Sequence, residues 1–366
     1  MAMRSTAIDA LRGLIIITMA LDHANHFVAQ KHSTGEYWGG SFPVYHDALP
    51  FLTRLVTHLA APGFFLLMGV GMVLFARARR QAGWSRHSIS RQLVLRGGLL
   101  IALQFLLVNR AWELSPGGWE LEIYVGVLFA LGGTMILGAL LLWLQPRILL
   151  VVAIVLILGT ELLTPAPGRW GQVFSTLSRL LLIPGGDLRL WVNYPILPWL
   201  ELVVFGMIYG HWLVNDPRKA SRRALLCGAV FILLFVALRG LDRFGNIRPR
   251  AGNSWIDFFN LVKYPPSITF SLLTTGVNLA ILGLLSRNKS QRFLQPLTVF
   301  GRVPLFFYLT HLFLYAGLGL WLTPDGASIV QMIPYFFLGL LILVPICRWY
   351  GKLKDRQTPN SILRFF

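Results

Sequence analysis

Five ionisable side chains interrupt a run that is otherwise apolar enough for a membrane: Asp9, Arg12, Asp22, His23 and His26 in DALRGLIIITMALDHANHF, residues 9–27. A helix turns 100° per residue, so Arg12 and His23, eleven residues apart, are separated by about three turns plus 20° and share a face. Asp9 falls within about 40° of His23, Asp22 points about 100° away, and the rise from Arg12 to His23 is about 16 Å. One stripe thus carries a cation near one end and an imidazole near the other, groups that bind an anion and move a proton at neutral pH. The plainer reading pairs Asp9 with Arg12 at the interface and leaves the histidines as polar caps.

Company raises the weight of the first reading. RLVTHLAAPGFFLLMGVGM, residues 54–72, sets Arg54 and His58 at the start of a second apolar run, with Pro62, Gly69 and Gly71 as packing residues inside it. His58 lies at the level of His23, so the two are expected to face one cavity. LTVFGRVPLFFYLTHLFLYAG, residues 297–317, has Arg302 near one end and His311 about halfway along. A mid-membrane imidazole must face protein or water, either holding a ligand or bonding a neighbouring helix. VKYPPSITFSLLTTG, residues 262–276, brings Lys263 and Tyr264 before a Pro265–Pro266 pair, and VNYPILPWLELVVFG, residues 192–206, puts Glu201 inside a span. Neither Glu201 nor Lys263 is an ordinary lipid-facing residue.

The elements that must position these groups follow from composition. Of 366 residues, 55% are hydrophobic and 13% charged, and the apolar residues come in long blocks. That predicts an all-α, polytopic integral membrane bundle forming one domain over 1–366. Runs long enough to span give about ten transmembrane helices, with cores at 8–28, 58–76, 93–109, 122–143, 147–164, 195–214, 224–240, 265–285, 297–321 and 329–349. The run 93–109 is barely long enough to cross, and 172–183 reads as an interfacial amphipathic helix. The first run lacks a small-residue cleavage site and reads as a retained span.

The net charge of +18 is concentrated in short segments, RARRQAGWSR (77–86), NDPRKASRR (215–223), SRNKSQR (286–292) and RWYGKLKDRQ (348–357). This is the positive-inside pattern rather than a nucleic-acid surface, and it predicts both termini in the cytoplasm. The longer loops 29–57, 165–194 and 241–263 then lie outside; the last carries Arg243, Arg248, Arg250 and Lys263, which weakens the asymmetry there, but long loops count less in that rule. No phosphate-binding glycine loop, HExxH or cysteine cluster is present, and the histidines are too scattered to predict a metal site. Cys227 and Cys347 sit in apolar blocks without partner spacing.

Four blocks in order, IDALRGLIIITMALDH, TRLVTHLAAPGFFLLMG, KYPPSITFSLLTTG and FGRVPLFFYLTH, resemble a bacterial membrane family labelled as a domain of unknown function, DUF1624, grouped with the catalytic domain of heparan-α-glucosaminide N-acetyltransferases. The Arg12 to His23 spacing is also similar to the first-helix motif of the acyltransferase-3 O-acetylases. The resemblance implies a transmembrane acyltransferase that takes an acetyl or other short acyl group from cytoplasmic acyl-CoA, without a metal, and passes it to a hydroxyl or amine of an extracytoplasmic, carbohydrate-like acceptor. It implies His23 as general base, His58 as oxyanion or acceptor contact, and Asp22 as a group that orients an imidazole. Arg12, Arg96 and Arg302 are expected at the CoA phosphates, with Lys263, Tyr264 and His311 also on the donor. In the lysosomal relatives an Asn matches His23 and the catalytic His lies in the loop after the first helix. Here that loop offers His32 and His46, and His46 is the second candidate base.

The expected partners are the lipid bilayer of a bacterial cytoplasmic membrane, acyl-CoA and the acceptor, with no nucleic acid and with homo-oligomerisation left open. The competing reading is a transporter or flippase for a polar solute that uses Arg12, His23 and His311 as a pathway and would require inverted repeats. No such repeat is visible in the sequence.

Overall fold

Backbone amides in hydrocarbon have no water to bond, so the long apolar runs satisfy themselves as helices. The computed structural model describes residues 6–358 except 34, 117 and 288–293, together with 361 and 363. Helix α1 (Thr6–Ala24) continues into a π-helical turn, Asn25–Ala29. Then α2 (Ala48–Thr57) and α3 (Ala60–Gln81) run on as one apolar unit, followed by α4 (Arg86–Leu103), a second π-turn at Gln104–Val108, and α5 (Asn109–Glu113). The rest are α6 (Val127–Leu141), α7 (Pro146–Leu163), the short α8 (Thr176–Leu181), α9 (Ile196–Asn215), α10 (Pro217–Leu241) and the short α11 (Trp255–Phe259). The last four are α12 (Ile268–Arg287), α13 (Gln295–Gly301), α14 (Pro304–Leu322) and α15 (Ile329–Asp355).

A helix stands at each of the ten expected cores. Among the described residues, eight helical runs are both long and apolar enough to cross a membrane. Two fall short of that standard: α1 carries Asp9, Arg12 and Asp22 in 19 residues, and α6 is 15 residues long. The run expected to be marginal, 93–109, belongs instead to a helical run of 28 residues, Arg86–Glu113. Ser85 starts it early by accepting the amide of Ser88, so its first turn carries the charge and its interior the apolar residues. The expected core 297–321 is divided at Arg302–Val303, where Pro304 takes the first turn of α14 and cannot continue the ladder of α13. The segment 172–183 holds only the six-residue α8. Residues 288–292 of the basic segment 286–292 lie outside the described residues.

Alternate connections gather at one end of the bundle. Trp38 Nε1 donates to Pro184 O at 3.0 Å, Arg248 Nη1 to Gly40 O at 3.0 Å, and Asn260 Nδ2 to Pro43 O at 2.9 Å. The amides of Lys263 and Tyr264 both donate to Glu36 O. A small sheet completes this cap: β1 (Tyr124–Val125) lies parallel to β3 (Trp191–Val192), which pairs antiparallel with β2 (Gly185–Gly186). The opposite end carries the basic turn after α3 and the Asp216 cap of α10.

In a bilayer, helices associate through close packing rather than through a hydrophobic drive. The α3–α9 crossing shows how close: a Cβ on Gly69 would lie 2.0 Å from Val203 O, and one on Gly206 2.0 Å from Leu66 O. Backbone meets backbone there, so a side chain has no way to yield. Gly206→Leu is therefore expected to separate α3 from α9 and to abolish the monodisperse peak of detergent-solubilised protein in size-exclusion chromatography. Gly98→Leu, where an added Cβ meets nothing within 4 Å, leaves that peak unchanged.

Candidate functional site

The centre of the molecule is α1, on which Leu11, Ile16 and Ala20 are fully buried. Its polar stripe borders two cavities. The first, about 930 Å³, opens at the basic end beside Arg12, Arg79, Arg96, Arg302, Arg348 and Lys352. The second, about 340 Å³, runs from Arg12 and Arg96 to Asp22, His23, Tyr194 and Lys263 near the cap. Arg12, Phe75, Arg96 and Pro304 border both, so the two meet. Arg12 Nη1 binds Asp9 Oδ1 at 2.8 Å and Gly301 O at 3.0 Å, so the plain i,i+3 pair and the cavity lining are the same arrangement. The Arg96 guanidinium lies 4.7 Å from the centre of the Phe75 ring.

The imidazole partner of His23 is His311 rather than His58. His23 Nδ1 lies 2.6 Å from His311 Nε2, and His311 Nδ1 lies 2.9 Å from Phe307 O. A carbonyl can only accept, so His311 Nδ1 carries a proton. In the neutral ring Nε2 then accepts from His23 Nδ1–H. This chain fixes the tautomer of His23 and leaves its Nε2 lone pair as the basic site. Trp112 stands edge-on to His23, 5.6 Å between centroids, and walls one side.

Asp22 turns off the stripe, as the helical arithmetic requires, into a buried ionic cluster. Arg54 forks onto Glu36, Nε to Oε1 at 2.5 Å and Nη2 to Oε2 at 2.8 Å, and its Nη1 reaches Asp22 Oδ1 at 2.7 Å. Thr57 Oγ1 donates to the same Asp22 oxygen at 2.6 Å. His32 Nε2 lies 3.1 Å from Asp22 Oδ2 and 2.7 Å from Arg54 Nη1. His58 is drawn away from His23 to Glu36, Nε2 to Oε1 at 3.3 Å, and does not line the cavity. Burial alone would raise the Glu36 carboxyl, but the Arg54 guanidinium holds it well below the usual carboxylate range.

Of the other expected residues, Lys263 faces the second cavity and Arg302 the first. Burial pushes the Lys263 ammonium down to about 8, helped by Arg54 and opposed by Asp22 and Glu36. Tyr264 stacks under Lys263 and meets the Tyr194 hydroxyl at 3.3 Å without lining either cavity. His46 is exposed and lines neither cavity. Sequence reasoning named His32 in the loop after α1 but preferred His46, and it missed Glu36 in the same loop and Trp112 in α5. An acid in a loop next to an apolar run was the only signal for Glu36.

These features define a polytopic helical membrane protein with a cation-lined cavity leading to a paired histidine. Residues 4–240 match the family described as heparan-alpha-glucosaminide N-acetyltransferase, catalytic, and the chain belongs to that family. It is similar to the human heparan-alpha-glucosaminide N-acetyltransferase, 28% identical over 138 residues. That stretch is 38% of this chain and spans 19% of the human protein's length. Lys263, Arg302 and His311 lie beyond the family match.

Breaking a buried ion pair from one side strands its partner, at a cost of about 3–5 kcal/mol. Arg54→Ala leaves both Glu36 and Asp22 without their cation and is expected to lower the thermal midpoint sharply. Because the folded Glu36 pKa is depressed, its stabilisation is complete above its unfolded value, 4.5, and is lost as pH falls below it. Thermal midpoints across this range are expected to drop for the parent protein and to drop less for Glu36→Gln.

Proposed function

We propose that this protein is a membrane acyltransferase. It takes an acetyl or other short acyl group from cytoplasmic acyl-CoA and transfers it to a hydroxyl or amine of an acceptor, a carbohydrate, on the far side. The observation that carries this reading is the continuous lane from the arginine-rich cavity to a histidine whose relay leaves Nε2 basic. Family membership supports the reaction class.

Phosphates of CoA suit the first cavity, where Arg302, Arg348 and Lys352 offer charge-assisted bonds. The pantetheine arm would follow α1 past Met19 and bring the thioester to the His23 end. There the acceptor oxygen or nitrogen attacks the thioester carbonyl, and the C–S bond breaks. His23 Nε2 takes the acceptor's proton and returns it to the departing CoA sulfur, so the products are the acylated acceptor and free CoA. The Lys263 ammonium, at the same end of the cavity, would stabilise the oxyanion formed in between. His311 is a positioning residue that acts through His23. Asp22, held by Arg54 and Thr57, would set the position of the last turn of α1 rather than orient the imidazole.

The test is release of free CoA thiol from acetyl-CoA by purified protein with a panel of amino sugars and hydroxylated glycans, together with direct acetyl-CoA binding. His23→Gln is expected to lower kcat at least a hundredfold while binding stays within about threefold, since a positioned base contributes about 10²–10⁴. Arg302→Ala with Arg348→Ala raises the acetyl-CoA Kd instead. If no acyl-CoA binds, the reading is wrong, and solute uptake independent of acyl-CoA would favour a transporter. With Lys263 charged only below about 8, kcat is expected to fall as pH rises through that value. Lys263→Arg, permanently charged, should remove that fall.

A further inference from the structure

The second cavity has two unlike walls. The wall from α1 and α14 is the lane already described, with Arg12, Asp22, His23 and Tyr308. The rest of the helical lining comes largely from α3, α4 and α6; apart from Arg96 on α4, which belongs to the basic end, Met68, Met72, Leu93, Leu131 and Met135 there present no hydrogen-bonding group. A pantetheine arm carries two amides that need partners, and an apolar wall leaves them unsatisfied. Unbranched, polarizable methionines fit themselves instead to a flexible aliphatic chain.

Gly71 lies in that wall. The GVG of α3 holds two glycines with different reasons to be there. Gly69 is demanded by the α9 backbone, as the 2.0 Å approach to Val203 O shows. Gly71 is demanded by nothing in the packing: it is helical, its φ lies outside the left-handed region, and an added Cβ would meet nothing within 4 Å. What the missing side chain leaves is room, and the room belongs to the cavity.

We propose that the α3–α4–α6 wall is a binding site for the donor's acyl chain, that it takes chains longer than acetyl, and that Gly71 sets their length. This rests on the acyltransferase reading and names the donor class for it. A chain joined at the His23 end folds back along Met68 and Met72 toward Gly71, and each methylene so buried tightens binding by up to about fourfold.

The experiment measures Kd for acetyl-, hexanoyl- and dodecanoyl-CoA on the purified full-length protein, as parent, Gly71→Ala, Gly71→Leu and Gly98→Leu. The parent is expected to bind hexanoyl-CoA at least tenfold tighter than acetyl-CoA. Gly71→Leu should bring that ratio near one, Gly71→Ala should fall between, and Gly98→Leu should keep the parent's ratio. Retained acetyl-CoA binding reports that each variant is folded. The proposal is overturned if the parent binds acetyl-CoA as tightly as hexanoyl-CoA, if the ratio survives Gly71→Leu, or if Gly71→Leu weakens both donors equally, which would make the wall part of the pantetheine path. Absence of binding to every acyl-CoA would remove the acyltransferase reading and this proposal with it. Acetyl-CoA binding without chain preference would remove this proposal alone.

Discussion

A guanidinium with 2% of its surface exposed must find its charge and its donors satisfied inside the protein, and Arg54 does so with two carboxylates from different parts of the chain. Glu36 comes from the loop after α1 and Asp22 from the last turn of α1 itself. The fork therefore ties three segments to one point: the end of the first helix, the cap loop, and the start of the α2–α3 unit. The cap inherits that order, because the Glu36 carbonyl receives the amides of Lys263 and Tyr264, and Lys263 thereby reaches the cavity. Well-packed apolar residues could match such a cluster in stability. What they could not reproduce is its placement of a cation, an acid and two imidazoles around the capped end of the cavity.

Much of this was legible in sequence, for reasons that differ from part to part. The spans follow from backbone desolvation, which acts on any apolar run of sufficient length whatever its neighbours. The face shared by Arg12 and His23, and the divergence of Asp22, follow from helical geometry, which holds through Ala24. Beyond that residue the π-turn winds differently and the arithmetic stops: His26 bonds Ser115 at 2.9 Å, a partner no spacing indicates. The pairing of His23 with His311 rather than His58 was illegible because depth pointed to His58, which starts its run at the level of His23, while His311 falls halfway along its own. Glu36 decides between them, since a buried carboxylate draws His58 to itself. The exposed His46 and the half-buried His32 are both loop histidines. Only the course of the loop, set by Arg54 and Asp22, separates them.

The relay at His23 asks for two kinds of precision, and the structure meets them by different means. Within α14 the anchor is local: Phe307 and His311 are four residues apart on one helix, so the carbonyl and Nδ1 are held by the helix itself. The His23–His311 contact instead depends on the distance between α1 and α14, and long side chains at that interface would leave it adjustable. The backbones meet directly at two places. A Cβ on Gly319 of α14 would lie 2.2 Å from Phe27 O, just past the end of α1, and one on Gly301, the last residue of α13 just before α14, would lie 1.9 Å from Asp9 O at the beginning. Gly13 repeats the contact from the α1 side, 1.9 Å from Leu297 O. Contacts between backbones have no rotamers to exchange, so α1 is clamped at both ends while its centre borders the cavity. The same approach brings Arg12 within 3.0 Å of Gly301 O. The cation at one end of the stripe and the imidazole at the other are thus fixed relative to each other by α1 and relative to α13 and α14 by glycine. A donor laid along this lane would meet both at a separation set by the backbone.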